Sequence, residues 1–238
     1  MAKAVNNQPN LRYERKFVYT HLSAEDLIDT EVLCNGFCFR EIFHRRTVNN
    51  LYLDDQNMSF YRQNVAGDEE REKFRIRWYG DDFQDVTNPT VEIKKKFGAV
   101  GDKVSFKYSS FTAQLNTTAA DLFKTKIEKI ANANDDLKLA SSLACLQPSL
   151  YNSYERRYFL SACELYRITV DYNMTFYNPA FSNFAVSKVA LPDVVLELKY
   201  AVADDKEARH LSQQLSARLS KNSKYVRGVD LIHHKPHY

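Results

Sequence analysis

Eight cations in this sequence, Lys16, Arg75, Arg77, Lys94, Lys96, Arg156, Arg167 and Lys199, sit where chemistry on an anion could be done. Each lies in a stretch where charged and apolar residues take turns, as in Phe74-Arg75-Ile76-Arg77-Trp78-Tyr79-Gly80 and Val91-Glu92-Ile93-Lys94-Lys95-Lys96. Residues two apart in a β-strand share a face, so Arg75 and Arg77 point one way and the apolar residues between them the other. Glu14, Glu92, Asp171 and Glu197 share the charged faces, but the excess is positive. An antiparallel sheet with one solvated face alternates in the same manner. Long cations near the centres of strand after strand argue for more, because like charges directly opposite one another destabilise a sheet and something anionic must offset that. Guanidinium forks match phosphate oxygens in pairs, and a lumen lined by cations would focus positive potential on a polyanion such as a triphosphate. Glu197 has two readings among these cations: a carboxylate holding Mn²⁺ or Mg²⁺ against substrate phosphates, or an internal ion pair with Lys199 or an arginine.

A first strand runs from Arg12 to Tyr19, and Ser23 with Asp26 starts a short covering helix that Asn35-Gly36 stops near Cys34. Thr47 to Asp54 alternates as a second strand, with Asn50, Tyr52 and Asp54 on one side, before a turn at Asp54-Asp55-Gln56-Asn57. Asn64 to Glu70 reads as a turn into the Arg75 strand, and Asp81 to Pro89 as a loop before the Lys94 strand. Gly98 to Asp102 turns into a hairpin partner, Lys103 to Tyr108. Thr118 and Asp121 cap a helix carrying Phe123, Ile127 and Ile130, and a second helical piece runs from Asp136 to Leu146, ended by Pro148. Strands around Arg156, Arg167 and Glu197 follow, and Asp204-Asp205 opens a helix striped by Leu211, Leu215 and Leu219. Mostly successive strands with helices late make this an antiparallel α+β domain, not a parallel doubly wound one.

The 238 residues, 44% hydrophobic and 26% charged, suit a single domain over 11–232 with polar tails at 1–10 and 233–238. Lys and Arg number 33 against 30 Asp and Glu, a net +3 too small to announce nucleic acid or an anionic membrane, so positive function must be local. Cations interleaved within strands, and not spread over a helix, also argue against nucleic acid. No run is as long as a membrane span and no signal peptide is evident, so a cytoplasmic protein is expected. Cys34, Cys38, Cys145 and Cys163 form no C-x-x-C pair and are expected as reduced, buried thiols. The His233-His234-Lys235-Pro236-His237 tail is read as solvated and without function.

In their order, Tyr13-Glu14-Arg15-Lys16-Phe17, Arg75-Ile76-Arg77-Trp78-Tyr79-Gly80, Glu92-Ile93-Lys94, Tyr154-Glu155-Arg156, Arg167-Ile168-Thr169-Val170-Asp171, Glu197-Leu198-Lys199 and Ser223-Lys224-Tyr225 resemble the vacuolar transporter chaperone (VTC) domain. This is the polyphosphate polymerase branch of the triphosphate tunnel metalloenzymes, within the CYTH-like superfamily, and the resemblance runs from Leu11 to Val229. It implies a closed eight-stranded β-barrel, the triphosphate tunnel, with peripheral helices. In it Lys16, Arg75, Arg77, Lys94, Arg156 and Arg167 would hold nucleotide phosphates and product, joined by Lys199 and by Lys224 of a closing helix, with Glu197 on the metal. Lys96, Lys103, Lys107 and Lys221 are left outside that set as solvated lysines.

The implied activity is transfer of the terminal phosphoryl group of ATP to a growing polyphosphate chain with Mn²⁺ or Mg²⁺. Two alternatives remain: a metal-dependent tri(poly)phosphatase of the CYTH type, in which water attacks, and a module that binds polyphosphate without turnover. Relatives that hydrolyse triphosphates begin with Glu-x-Glu-x-Lys, whereas Arg12 occupies the first glutamate's place here, which favours the VTC branch. The eukaryotic relatives add a regulatory domain and membrane spans, so a separate membrane or regulatory partner is expected to supply those roles.

Overall fold

The computed structural model describes residues 12–80, 85–98, 100–107, 111–112, 143–181 and 184–233. The helix expected over Thr118 to Ile130 lies outside them, as does most of the piece expected from Asp136 to Leu146.

The alternating stretches are strands: β1 (Arg12–Tyr19), β2 (Arg40–Asp54), β3 (Glu70–Tyr79), β4 (Asp85–Val86), β5 (Thr90–Phe97), β6 (Val100–Lys107), β7 (Phe111–Thr112), β8 (Gln147–Leu160), β9 (Arg167–Tyr177), β10 (Val189–Leu191) and β11 (Val194–Ala201). Short β4 and β7 pair with each other, and the rest form one antiparallel sheet in the order β10-β9-β11-β1-β6-β5-β3-β2-β8. Because β8 pairs with β9 as well as with β2, the sheet curls round on itself. Between β1 and β6, however, the ladder among the described residues is the single pair Arg12–Gly101. In place of the fully closed barrel that the resemblance implies stands an α+β fold whose rolled, mostly antiparallel sheet has, among the described residues, a thin seam at β1/β6.

Helix α1 (Ala24–Leu27) starts as expected, with Ser23 Oγ accepting the Asp26 N–H at 3.1 Å, and runs on as a wider π-helical turn to Leu33. With α3 (Asp205–Gln213) it covers the outer apolar face of β1, β9 and β11, burying Phe17, Ile168, Val170, Leu196 and Leu198 beside Leu27 and Leu211. The leucine stripe ends sooner than expected. The chain leaves α3 after Gln213, and Leu219, at 60% exposure, meets β1 only through a bridge to Phe17.

Two helices answer to other causes. The unexpected α2 (Ser59–Ala66) buries no residue and has no apolar stripe to betray it. It is nucleated by carboxylates at its N-terminus: Asp54 accepts the Phe60 and Tyr61 N–H groups at 3.0 and 2.9 Å, and Asp55 accepts that of Ser59 at 2.9 Å. By contrast, α4 (Lys224–His233) sits against the inner face of the sheet, with Tyr225 and Val229 packed on Val48, Leu150 and Phe176. Gly228 permits that approach, since a Cβ there would lie 2.5 Å from Leu150 and 2.6 Å from Phe176. His233 belongs to this helix and not to a frayed tail, its ring Nε2 lying 3.3 Å from the Ser149 carbonyl oxygen.

The four cysteines are free and exposed, correcting the expectation of buried thiols. They fall in the turns and ends between elements, where packing does not reach them. Among the described residues no helix is long and apolar enough to cross a membrane.

Candidate functional site

A cavity of about 420 Å³ lies between the inner face of the rolled sheet and the N-terminus of α4. Ten cationic side chains line it: Arg12 and Lys16 from β1, Lys73, Arg75 and Arg77 from β3, Lys94 from β5, Lys103 from β6, Arg156 from β8, Lys199 from β11 and Lys224 from α4. Against them stand the carboxylates of Glu14 and Glu197, with Tyr52, Tyr154, Ser223 and Tyr225 completing the wall. The structure thus brings together Lys16, Arg75, Arg77, Lys94, Arg156, Lys199, Lys224 and Glu197 from the sequence-predicted set. It leaves out Arg167, which opens β9 opposite Lys199 and is exposed beyond the cavity. Lys96, Lys107 and Lys221 are not in the lining, whereas Lys103, exposed as expected, nevertheless reaches the lining and donates to Glu92 Oε1 at 3.0 Å.

The arginine side of the cavity is built on carboxylates placed by strand register. Arg156 faces Asp171 directly across β8 and β9 and donates to it through Nε and Nη2 at 2.5 and 2.8 Å. Lys224 donates to the same carboxylate from α4, its Nζ 4.8 Å from the Tyr154 ring centre. Burial pushes the fully buried Asp171 carboxyl up, but Arg156 and Lys224 prevail and bring it down to about 2. Arg75 faces Glu92 across β3 and β5 and donates to Oε2 at 2.7 Å. Burial opposes ionisation of Glu92 as well, yet Arg75, Arg77 and Lys103 hold its carboxyl far below the ordinary range. Arg77 is fixed by neutral groups, donating to Asn50 Oδ1 at 2.9 Å and to the Tyr154 hydroxyl at 3.1 Å.

The lysine side is tied differently. Lys16 donates to the Asn222 carbonyl and Lys73 to Ser223 Oγ, both at 2.8 Å, so two site cations hold the segment that leads into α4. Burial and then the neighbouring charges of Lys16, Lys94, Arg71 and Arg75 push the Lys73 amine well below its usual value. Lys94 donates to Glu14, but burial dominates and takes its amine down to about 8.

Lys73, Arg12 and the tyrosines were missed by sequence reasoning, although the period of two reaches several of them. Lys73 lies two before Arg75, Arg12 two before Glu14, and Tyr154 two before Arg156.

Among the described residues no three His, Cys, Asp or Glu side chains cluster in a way that would hold a metal ion by themselves. What the cavity offers is a pair. Glu14 and Glu197 are diagonal neighbours across β1 and β11, where Lys16 faces Glu197 and Glu14 faces Lys199. Burial and the Glu197 charge push Glu14 up, but Lys94, Lys199 and Lys16 outweigh them and leave it below its usual value. Burial likewise opposes the charge of Glu197, and Lys199, Lys16, Lys94 and Arg156 hold it well below the ordinary range. Two ionised carboxylates fit Mg²⁺ or Mn²⁺, which take one or two such ligands and complete their shell with water and substrate phosphates. The internal ion pair also exists, Lys199 Nζ lying 3.2 Å from Glu197 Oε1.

The sequence profile of the VTC domain matches residues 3–233. No protein in a search of curated sequences matches. In three dimensions the chain is similar to a candidate adenylate cyclase from Bacillus halodurans, with TM-score 0.52 and 12% identity over 92% of this chain and 98% of that one. A candidate adenylate cyclase from Vibrio parahaemolyticus gives 0.51 and 10% over 92% and 97%, and a protein of Pyrococcus horikoshii OT3 gives 0.50 and 10% over 91% and 95%. At such identities the likeness is one of fold.

Proposed function

The chain belongs to the VTC domain family, and from that premise we propose that it transfers the terminal phosphoryl group of ATP to a growing polyphosphate chain inside a basic tunnel. The observation that carries this reading is the lining: ten cations round about 420 Å³ against the wall carboxylates Glu14 and Glu197 and the buried Glu92 and Asp171 behind it, an excess that a polyanion would neutralise. In the transfer, an oxygen at the end of the acceptor chain forms a bond to the γ-phosphorus while the bond to the β,γ-bridging oxygen breaks and ADP leaves. Little covalent help is needed from protein, and the work is positioning and neutralising charge.

Arg75, Arg77 and Arg156 are held in place before substrate arrives, so their remaining N–H groups meet phosphate oxygens with little reorganisation. Lys16, Lys73 and Lys94 add charge from β1, β3 and β5, and Lys199 and Lys224 complete the cradle. Glu197, with Glu14, would hold Mn²⁺ or Mg²⁺, and that ion would supply further neutralisation of phosphate charge. Arg167, exposed opposite Lys199, is assigned to guiding phosphates beyond the cavity.

The deciding experiment incubates the full chain with ATP and Mn²⁺ and resolves products by length. Chains longer than the triphosphate support transfer to polyphosphate. Orthophosphate alone makes water the acceptor and the protein a triphosphatase. Binding of tripolyphosphate without turnover makes it a binding module.

A further inference from the structure

Beyond the cavity, past Arg77 and Arg156, the inner face changes character. Tyr79 follows Arg77 by two residues and Tyr158 follows Arg156 by two, so each lies one step, about 7 Å, farther along the same face. Arg46 stands directly opposite Arg156 across β2 and β8. Its Cζ is 4.7 Å from the Phe43 ring centre, 5.5 Å from that of Tyr79 and 5.6 Å from that of Tyr158. Phe43 meets Tyr158 edge to face, with centroids 5.8 Å apart. Tyr158 also joins this cluster to the cavity, because Arg156 lies 6.0 Å from its ring centre.

Phe43 and Tyr79 stay 50% and 43% exposed although each offers a face to the guanidinium. The Tyr158 hydroxyl is buried and makes no hydrogen bond to the described residues. Burial pushes that phenol up to about 12, so it stays neutral and able to donate.

We infer that this cluster is a platform for the base of a nucleoside triphosphate whose phosphates occupy the cavity, an inference resting on the proposed tunnel function. Three observations select a base over a further phosphate. The Arg46 guanidinium lies over the rings of Phe43, Tyr79 and Tyr158, so it already belongs to an aromatic stack that a further flat π-system can extend and a tetrahedral anion cannot. The half-open rings of Phe43 and Tyr79 add stacking area that phosphate cannot use. The step from Arg77 to Tyr79 matches the displacement that a ribose puts between a base and its first phosphate. Because every base has a π-face, stacking here accepts nucleotides broadly and discriminates them from inorganic chains.

The test is calorimetric titration of the full chain with ATP and with tripolyphosphate at one salt concentration, for wild type, Tyr79→Ala and Phe43→Ala. Both variants alter exposed rings, and retained tripolyphosphate affinity shows that each still folds. Loss of a stack should weaken ATP binding about fivefold or more in either variant and change tripolyphosphate binding less than about twofold. Equal weakening of both ligands, or of neither, overturns the platform and leaves Arg46 as a clasp between strands while the tunnel reading stands. A wild type that binds neither ligand overturns the tunnel reading and the platform with it.

Discussion

Two sides of one cavity carry the same sign of charge in opposite ways. On the arginine side each buried carboxylate faces its cation in the neighbouring strand, Arg156 with Asp171 and Arg75 with Glu92. On the lysine side Lys16 and Lys73 rest on neutral acceptors, the Asn222 carbonyl and Ser223 Oγ, and crowd one another and Lys94. Arginine cannot shed its proton, so burying it requires a permanent counter-charge. Lysine can, and the low proton affinities of Lys73 and Lys94 register a cost of burial that, at Lys94, Glu14 and Glu197 offset only in part. One group is part of the fold's framework, and the other carries a cost of burial that a bound anion would relieve.

The sharpest way to break that contrast is Asp171→Asn. It leaves Arg156 and Lys224 buried without their shared anion and should lower unfolding free energy by about 3–5 kcal/mol in denaturant titrations. Conversely, Lys73→Met removes a cation from a like-charged group and should raise the stability of the empty protein by roughly 1 kcal/mol. If both substitutions destabilise alike, the two sides are not different in kind.

Ligand sharpens the same contrast from the other direction. Tripolyphosphate at a hundred times its dissociation constant should stabilise wild type by about 2.7 kcal/mol in thermal melts, less at high salt and far less with monophosphate at equal concentration. Lys73→Met should receive a smaller gain. Glu197→Gln should remove metal-dependent turnover and weaken Mn²⁺ binding measured in the presence of tripolyphosphate, while leaving metal-free tripolyphosphate binding in place. Unchanged Mn²⁺ affinity in that variant would reduce Glu197 to an ion-pair partner of Lys199.

Alternation found the eight long strands and their inward sides, though only the second half of β2, and missed the short β4, β7 and β10, because period two follows from backbone geometry but needs length to show. It could not report depth. Arg167 and Lys199 face each other in register, yet only Lys199 lines the cavity, since Arg167 stands at the very start of β9. Nor could it show what each cation rests on, which depends on cross-strand register set by bulges such as those in the β2–β8 pairing. Helix α2 was illegible for a different reason. Its N–H groups are satisfied by Asp54 and Asp55 from the preceding turn, a local device that leaves no apolar stripe. The exposed cysteines show the limit of composition, because a residue type's average burial says nothing about a turn.

The smallest effect expected is also the most specific to the lysine side. Lys94 has an ordinary value of 10.5 and is taken down to about 8, chiefly by burial, with Lys16 adding to the fall and Glu14 and Glu197 opposing it. Between those values the unfolded chain holds this proton more tightly than the folded one, so the Lys94 contribution to stability rises with pH across the window. Below about pH 8 both states are protonated and the folded state bears the full cost. A bound phosphate chain restores the amine towards its ordinary value, so binding at about pH 9 takes up a proton and affinity falls as pH rises through the window. Titrations at about pH 9 in two buffers of different ionisation enthalpy should therefore give different apparent heats, and Lys94→Met should narrow that difference. Identical heats in both buffers for wild type would mean that Lys94 keeps its proton in the empty cavity and that Glu14 neutralises it as fully as Asp171 does Arg156.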